Sequence, residues 1–172
     1  VMLIVSPGCC GRNTSVLSSM RAYQDRFYYL LMDETDIVTG RHLKKIPKAV
    51  AEICEGLKKK PSVVMICITC VDALLGTDME RVCHKAEEYA GVPVRPCYMY
   101  ALTREGRKPP MVHVRQSVYS LLEPKKKKGN VVNLLGYFSP LTDDCELYDL
   151  LHGAGVKTIH EISRCKDYAQ YQ

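Results

Sequence analysis

The chain has 172 residues, 47% of them apolar and 25% charged, with a formal net charge of +5. That is the composition of about one ordinary globular domain with room for a core. No apolar run approaches the roughly 20 residues needed to cross a bilayer, and "VMLIV" at the start is too short, and lacks the basic flank, for a signal peptide. The opening instead reads as a strand in a piece of something longer, since the chain does not begin with Met.

In chain order, "VMLIVSP" is a buried strand ending at Pro7 and "RFYYLLM", residues 26–32, is a second, aromatic-rich strand. Residues 41–60 carry Leu43, Ile46, Val50, Ile53 and Leu57 at helical spacing. Pro47 fits such a helix only in its first turn, where a missing N–H costs nothing. "SVVMICIT" is a continuous β-branched-rich run, as expected of a parallel strand covered on both faces. Thr77 and Glu80 form a T-x-x-E capping box, which predicts a helix with Met79, Val82, Ala86 and Tyr89 on its apolar face, closed by Gly91. "VPVRPC" is a short strand and residues 110–123 a helix. After "PKKKKGN", the stretches "NVVNLLGYF", "DDCELYDLLHGAG" and "VKTIHEI" give strand, helix and strand.

This alternation predicts a parallel, Rossmann-like three-layer α/β sandwich followed by the start of a second α/β unit. The expected division is a first domain over 1–123, a basic linker over 124–130 and the opening βαβ of a truncated second domain over 131–172. The lysine run reads as a solvated linker. With no repeat, zinc-finger spacing or RNP-type motif, nucleic acid is not an expected partner.

Nine cysteines without a secretion signal point to metal or redox chemistry in a reducing compartment rather than to disulfides. Cys54 and Cys83 fall within helical patterns as core residues, and Cys145 and Cys165 have no assigned role. Ligands of parallel sheets bind beyond the carboxyl ends of the strands. Cys9 and Cys10 lie just past the first strand and Cys70 just past the "SVVMICIT" strand, so two loops at one sheet edge can converge. Cys67 lies within that strand. At about 3.3 Å per residue its α-carbon is roughly 10 Å from that of Cys70, too far for the disulfide limit of about 7 Å. "SPGCCGRNTS" reads as a tight turn in which Gly8 and Gly11 free the backbone beside the thiols. A thiol-redox or zinc site built from Cys9, Cys10, Cys67 and Cys70 stays open as an alternative.

Four stretches in order resemble the N-terminal domain of the nitrogenase component 1 superfamily. This superfamily includes nitrogenase MoFe protein subunits, their cofactor-assembly relatives and the dark-operative protochlorophyllide and chlorophyllide reductases. "SPGCCGR" resembles the family's H-G-P-x-G-C loop, aligning Pro7 and Cys10. "MDETDIVTGRHLKK" is similar to the "DIVFGG-x-KKL" segment of α-type subunits. "ITCVDALLGTDMERV" resembles "TCPxGLIGDDIExV", placing Cys70 on its cysteine. "GNVVNLLGYF" with "LYDLLHGAGVKTIHEI" is similar to the start of the family's second domain.

The resemblance implies a cytoplasmic oxidoreductase subunit holding part of an iron–sulfur cluster, 4Fe–4S or P-cluster-like, at an interface with a paired component 1 subunit. Cys10 and Cys70 would be ligands, with Cys9 a further candidate and another family ligand expected upstream of residue 1. An ATP-dependent iron protein would deliver the electrons. A non-catalytic scaffold for metallocluster assembly is the alternative within the same superfamily. The chain departs from the family pattern at Ser6, at the extra Cys9, and where "CEGFxG" gives way to "CYMYALTREGRKPP". Cys97 aligns near a family cysteine that is not a constant ligand and reads as strand-end packing. His113 reads as a substrate-side residue or as one position of an amphipathic helix. Arg104, Arg107 and Lys108 read as an anion-facing loop, a docking surface for an acidic partner or a solvated loop, and Asp33, Glu34 and Asp36 as a paired-carboxylate site or a capped, solvated loop.

Overall fold

A computed structural model describes residues 1–20, 22–98, 109–126 and 129–172. The chain divides into two compact units, Val1–Leu121 and Leu122–Gln172.

The first unit is a parallel sheet clothed by helices on both faces. Its strands are β1 (Met2–Ser6), β2 (Phe27–Leu31), β3 (Val64–Ile68) and β4 (Val94–Tyr98), in the spatial order β2-β1-β3-β4. The register aligns Ile4 with Cys67 and Val5 with Ile68 between β1 and β3, and Cys67 with Cys97 between β3 and β4. Alternation decides the faces. Leu3, Val5, Val64, Ile66, Ile68 and Val94 point into the larger core, while Ile4, Cys67 and Cys97 point into a smaller one.

The larger core is closed by α3 (Arg41–Gly56) and α5 (Met79–Ala90). Ile46, Val50 and Cys54 of α3, and Met79, Cys83, Ala86 and Ala90 of α5, are buried at three- and four-residue spacing. The buried stripe of α5 thus runs through Cys83 and Ala90, where the sequence reading had Val82 and Tyr89. Val82 packs at the margin and Tyr89 is exposed. The opposite face carries α1 (Gly8–Met20), packed on β1 and β2, and α6 (Pro110–Tyr119), whose Val114 reaches the smaller core.

Three expectations are corrected here. "SPGCCGRNTS" is not a turn: α1 begins at Gly8, and neither Gly8 nor Gly11 has a positive φ. Gly11 sits in a tight place instead, because a Cβ there would lie 3.0 Å from Ser6 Oγ and 3.1 Å from Leu31 Cδ2 and both side chains would have to give way. Pro47 is the seventh residue of α3 rather than part of its first turn. Its ring is buried against the core, which offsets the lost helical hydrogen bond. The N-cap of α5 is Asp78, whose carboxylate accepts from Arg81 N at 3.1 Å. Thr77 is turned away, its hydroxyl donating to Asp72 Oδ1 at 3.3 Å.

The flank of β4 is chemically closed. Val64 N bonds Pro93 O, so Val94 and Pro96 present their backbones to the outer side. Val94 N is taken by Glu87 Oε1 at 2.9 Å, and Pro96 has no N–H to offer.

The second unit pairs β5 (Val131–Leu134) with β6 (Thr158–Glu161) in parallel, joined through α7 (Glu146–Gly153), and ends in the short α8 (Tyr168–Tyr171). Its anchor is Glu161, buried at 7% exposure. The carboxylate accepts from Leu141 N at 3.2 Å, Ser163 Oγ at 3.1 Å and Arg164 Nε at 3.1 Å, and from the Tyr148 hydroxyl. Arg164 continues to Leu141 O and Asp143 Oδ1, both at 2.6 Å. These donors hold the Glu161 carboxyl below the usual carboxylate range against the opposing effect of burial.

Candidate functional site

The strand order fixes where a site can form. The chain steps from β1 to β2 on one side, then to β3 on the other, so β1 and β3 flank a topological switch point. Segments leaving their carboxyl ends diverge to opposite faces and open a crevice. Cys9 and Cys10 leave β1 in the first turn of α1, and Cys70 leaves β3 as the first residue of α4 (Cys70–Leu74).

Cys9 Sγ and Cys10 Sγ are 3.9 Å apart, and Cys9 is exposed while Cys10 and Cys70 are partly so. Burial first, then the Cys9 thiol, then the charge of Cys70, push the Cys10 thiol above its ordinary value.

The polar surroundings suit a sulfur-rich ligand. Ser6 Oγ and Thr69 Oγ1, at the carboxyl ends of β1 and β3, are buried without a hydrogen-bond partner, as is Asp72 Oδ2. Unsatisfied buried hydroxyls are groups that a bound polar species completes, and donors near cluster sulfurs are a known means of tuning them. Among the described residues no three His, Cys, Asp or Glu side chains gather as a metal-binding group.

Other cysteines are placed elsewhere. Cys67 lies within β3, beside Cys97 on β4, and the Cys97 thiol and burial push its own thiol well up. Its partner is thus across the sheet, not Cys70. Burial first pushes Cys83 up to about 12 and also raises Cys54. Cys145 stands at the N-cap position of α7, and the Cys165 thiol donates to Glu161 O at 3.5 Å.

The "MDETD" stretch is more structured than a solvated loop. Asp33 caps α2 (Glu34–Thr39), accepting from Asp36 N at 2.7 Å. Asp36 is 2% exposed and grips Lys45 Nζ at 2.7 and 2.8 Å and Arg41 Nε at 3.2 Å. Lys45 first holds its carboxyl below the usual range.

The reading of the sequence missed a buried pair, His42 and Asp72, each 1% exposed. His42 Nδ1 lies 3.0 Å from Asp36 O and Nε2 lies 3.0 Å from Asp72 Oδ1. A carbonyl only accepts, so Nδ1 carries a proton and donates to it. The available signals were a histidine one residue before an apolar helical stripe and a lone aspartate inside "CVDALL".

His113 lines a cavity of about 490 Å³ between α5, β4 and α6, with Glu80, His84, Arg95 and Gln116. Its ring meets Tyr98 edge-on at 6.1 Å. This cavity lies along β4, outside the crevice between β1 and β3. Arg104, Arg107 and Lys108 lie outside the described residues. No described helix is long and apolar enough to cross a membrane.

Comparison with known proteins bears on the same region. The chain is 32% identical over 127 residues to the nitrogenase iron-molybdenum cofactor biosynthesis protein NifE of Rhizobium meliloti, covering 72% of this chain and 26% of that protein. To NifE of Rhodobacter capsulatus it is 28% identical over 176 residues, covering 98% and 36%. To the nitrogenase molybdenum-iron protein alpha chain of Methanosarcina barkeri it is 42% identical over 65 residues, covering 38% and 12%. The chain thus spans about a quarter to a third of the length of its NifE relatives. The family model "Nitrogenase component 1 type Oxidoreductase" matches residues 1–170. A match that runs over nearly the whole chain puts it in the nitrogenase component 1 type oxidoreductase family.

Proposed function

We propose that this chain is the N-terminal, cluster-holding part of a component 1-type subunit, with Cys10 and Cys70 as iron–sulfur ligands and Cys9 as an auxiliary thiol. The observation that carries the reading is the convergence of Cys10 and Cys70 from β1 and β3 on one crevice, beside two unpartnered hydroxyls. A bound cluster would supply one-electron transfer. The chain's own part is to present thiolates from the first turns of two separately anchored helices, α1 and α4, and to donate hydrogen bonds from Ser6 and Thr69. Four thiolates are the usual complement, so the remaining ligands come from residues beyond this piece or from a paired subunit. The exposed Val38, Leu74 and Leu75 on α2 and around α4 give that subunit an apolar rim to cover. An ATP-dependent iron protein is the proposed electron donor.

A second reading, assembly scaffold rather than reductase, is favoured by relatives named for cofactor biosynthesis. Both readings need the same cysteines. The test is anaerobic iron and sulfide analysis with EPR on the full-length protein co-expressed with its neighbouring subunit, wild type beside Cys70→Ser. Loss of the cluster signal in the variant is the expected result, and normal iron content there refutes the ligand assignment. Substrate turnover by the holo-complex separates reductase from scaffold.

A further inference from the structure

α4 is anchored in an unusual way. It has only five residues, its N-cap Thr69 makes no side-chain capping bond, and Leu74 and the following Leu75 lie exposed. A helix of that length does not hold itself. What ties it down is Asp72, whose Oδ1 meets His42 Nε2 at 3.0 Å and the Thr77 hydroxyl at 3.3 Å, while Thr77 N bonds Asp72 O at 3.0 Å. His42 is fixed in turn by Asp36 O at 3.0 Å, and Asp36 by Lys45 and Arg41.

We infer that the buried His42–Asp72 pair is a latch that sets the position of Cys70, with both members acting as positioning residues for the thiol. The inference rests on the proposed role of Cys70. Its physical basis is that the latch spans 30 residues of sequence and joins α3, part of the rigid core, to the turn that bears the thiol. Buried polar pairs of this kind are poor sources of stability compared with apolar packing. Their directional bonds instead select one geometry. The unpartnered Asp72 Oδ2 belongs to the same bargain: one oxygen is held at the cost of leaving the other dry.

The experiment compares His42→Ala, Asp72→Asn and Cys54→Ala in the full-length protein by hydrogen exchange and mass spectrometry. Cys54 lies on the same helix as His42 and is buried in the same core, so its truncation controls for general loosening. His42→Ala is expected to speed exchange of the 70–77 amides at least about tenfold beyond Cys54→Ala at matched distance from Tm, as loss of a charge-assisted hydrogen bond would. Asp72→Asn, which keeps the Oδ1 acceptor, should retain most of the wild-type protection. Equal exchange over 70–77 in His42→Ala and Cys54→Ala would overturn the latch. A second readout uses full-length protein reconstituted with ferrous iron and sulfide, where His42→Ala should broaden the EPR signal while Cys54→Ala leaves its shape unchanged. Cys70→Ser that retains iron removes the ligand role and leaves the exchange result to judge the latch by itself.

Discussion

The two units each bury one polar network, and the networks are finished to different degrees. Around Glu161 both carboxylate oxygens are engaged, by Leu141 N and Ser163 on one and by Tyr148 and Arg164 on the other. Around Asp72 one oxygen is engaged and one is bare, with the bare hydroxyls of Ser6 and Thr69 at the same end of the sheet. A closed network rigidifies what surrounds it. An open one marks a place where structure waits on something else. The second unit uses its buried charge to hold a small βαβ arrangement together, whereas the first spends its polar groups at the edge where chemistry is proposed.

The largest way to break this contrast is at Glu161. Glu161→Ala strands several donors at once and should cost the second unit about 3–5 kcal/mol. Amide exchange of Val131–Leu134 would rise steeply while β1 and β3 keep their protection. If the strands of both units loosen together, the two networks are not separate anchors.

A smaller effect is expected at the floor of the crevice. Gly11→Ala pushes a methyl to 3.0 Å from Ser6 Oγ and should cost about 1–3 kcal/mol through overpacking, measured by urea denaturation. Because it lifts α1 from β1, it should also change the alkylation rate of Cys10 more than that of Cys145, which belongs to the second unit. Equal changes at both thiols would argue against a local effect.

Smaller again is the cap of α5. Asp78→Ala should lower stability by about 1 kcal/mol, and Thr77→Ala should instead act on the turn after α4, seen as faster exchange over 70–77 without fraying of α5. The reverse pattern would restore Thr77 as the cap.

The mildest test is by pH. The folded pKa of Asp36 lies below its ordinary value of 3.8, so its ion pair contributes stability above about that pH. The contribution falls away as pH drops through the folded value. The Tm gap between wild type and Asp36→Asn should therefore stay constant from pH 7 to 5 and shrink below 4. A gap that widens on acidification would reverse the sign of the linkage.

Some of this was readable in the residues and some was not. Strand–helix alternation, the two-faced burial of β3 and the strand-end positions of Cys10 and Cys70 follow from local pattern and were legible. The capping error at Thr77 arose because two adjacent residues could each cap. The choice was made by Asp72, which is five residues upstream and claims the Thr77 hydroxyl. Pro47 defied the helix rule because burial in the core outweighs one missing hydrogen bond. The His42–Asp72 latch was invisible because nothing local pairs residues 30 positions apart. Only the tertiary fold, which carries the start of α3 to the segment that follows β3, brings them together.

The closed flank of β4 has a consequence for how the molecule meets copies of itself. With Val94 N already bonded to Glu87 and Pro96 lacking an N–H, this side of the sheet offers a poor template for an incoming strand. Strand addition to this four-stranded sheet would have to start at β2, the opposite border, where Leu31 stands exposed.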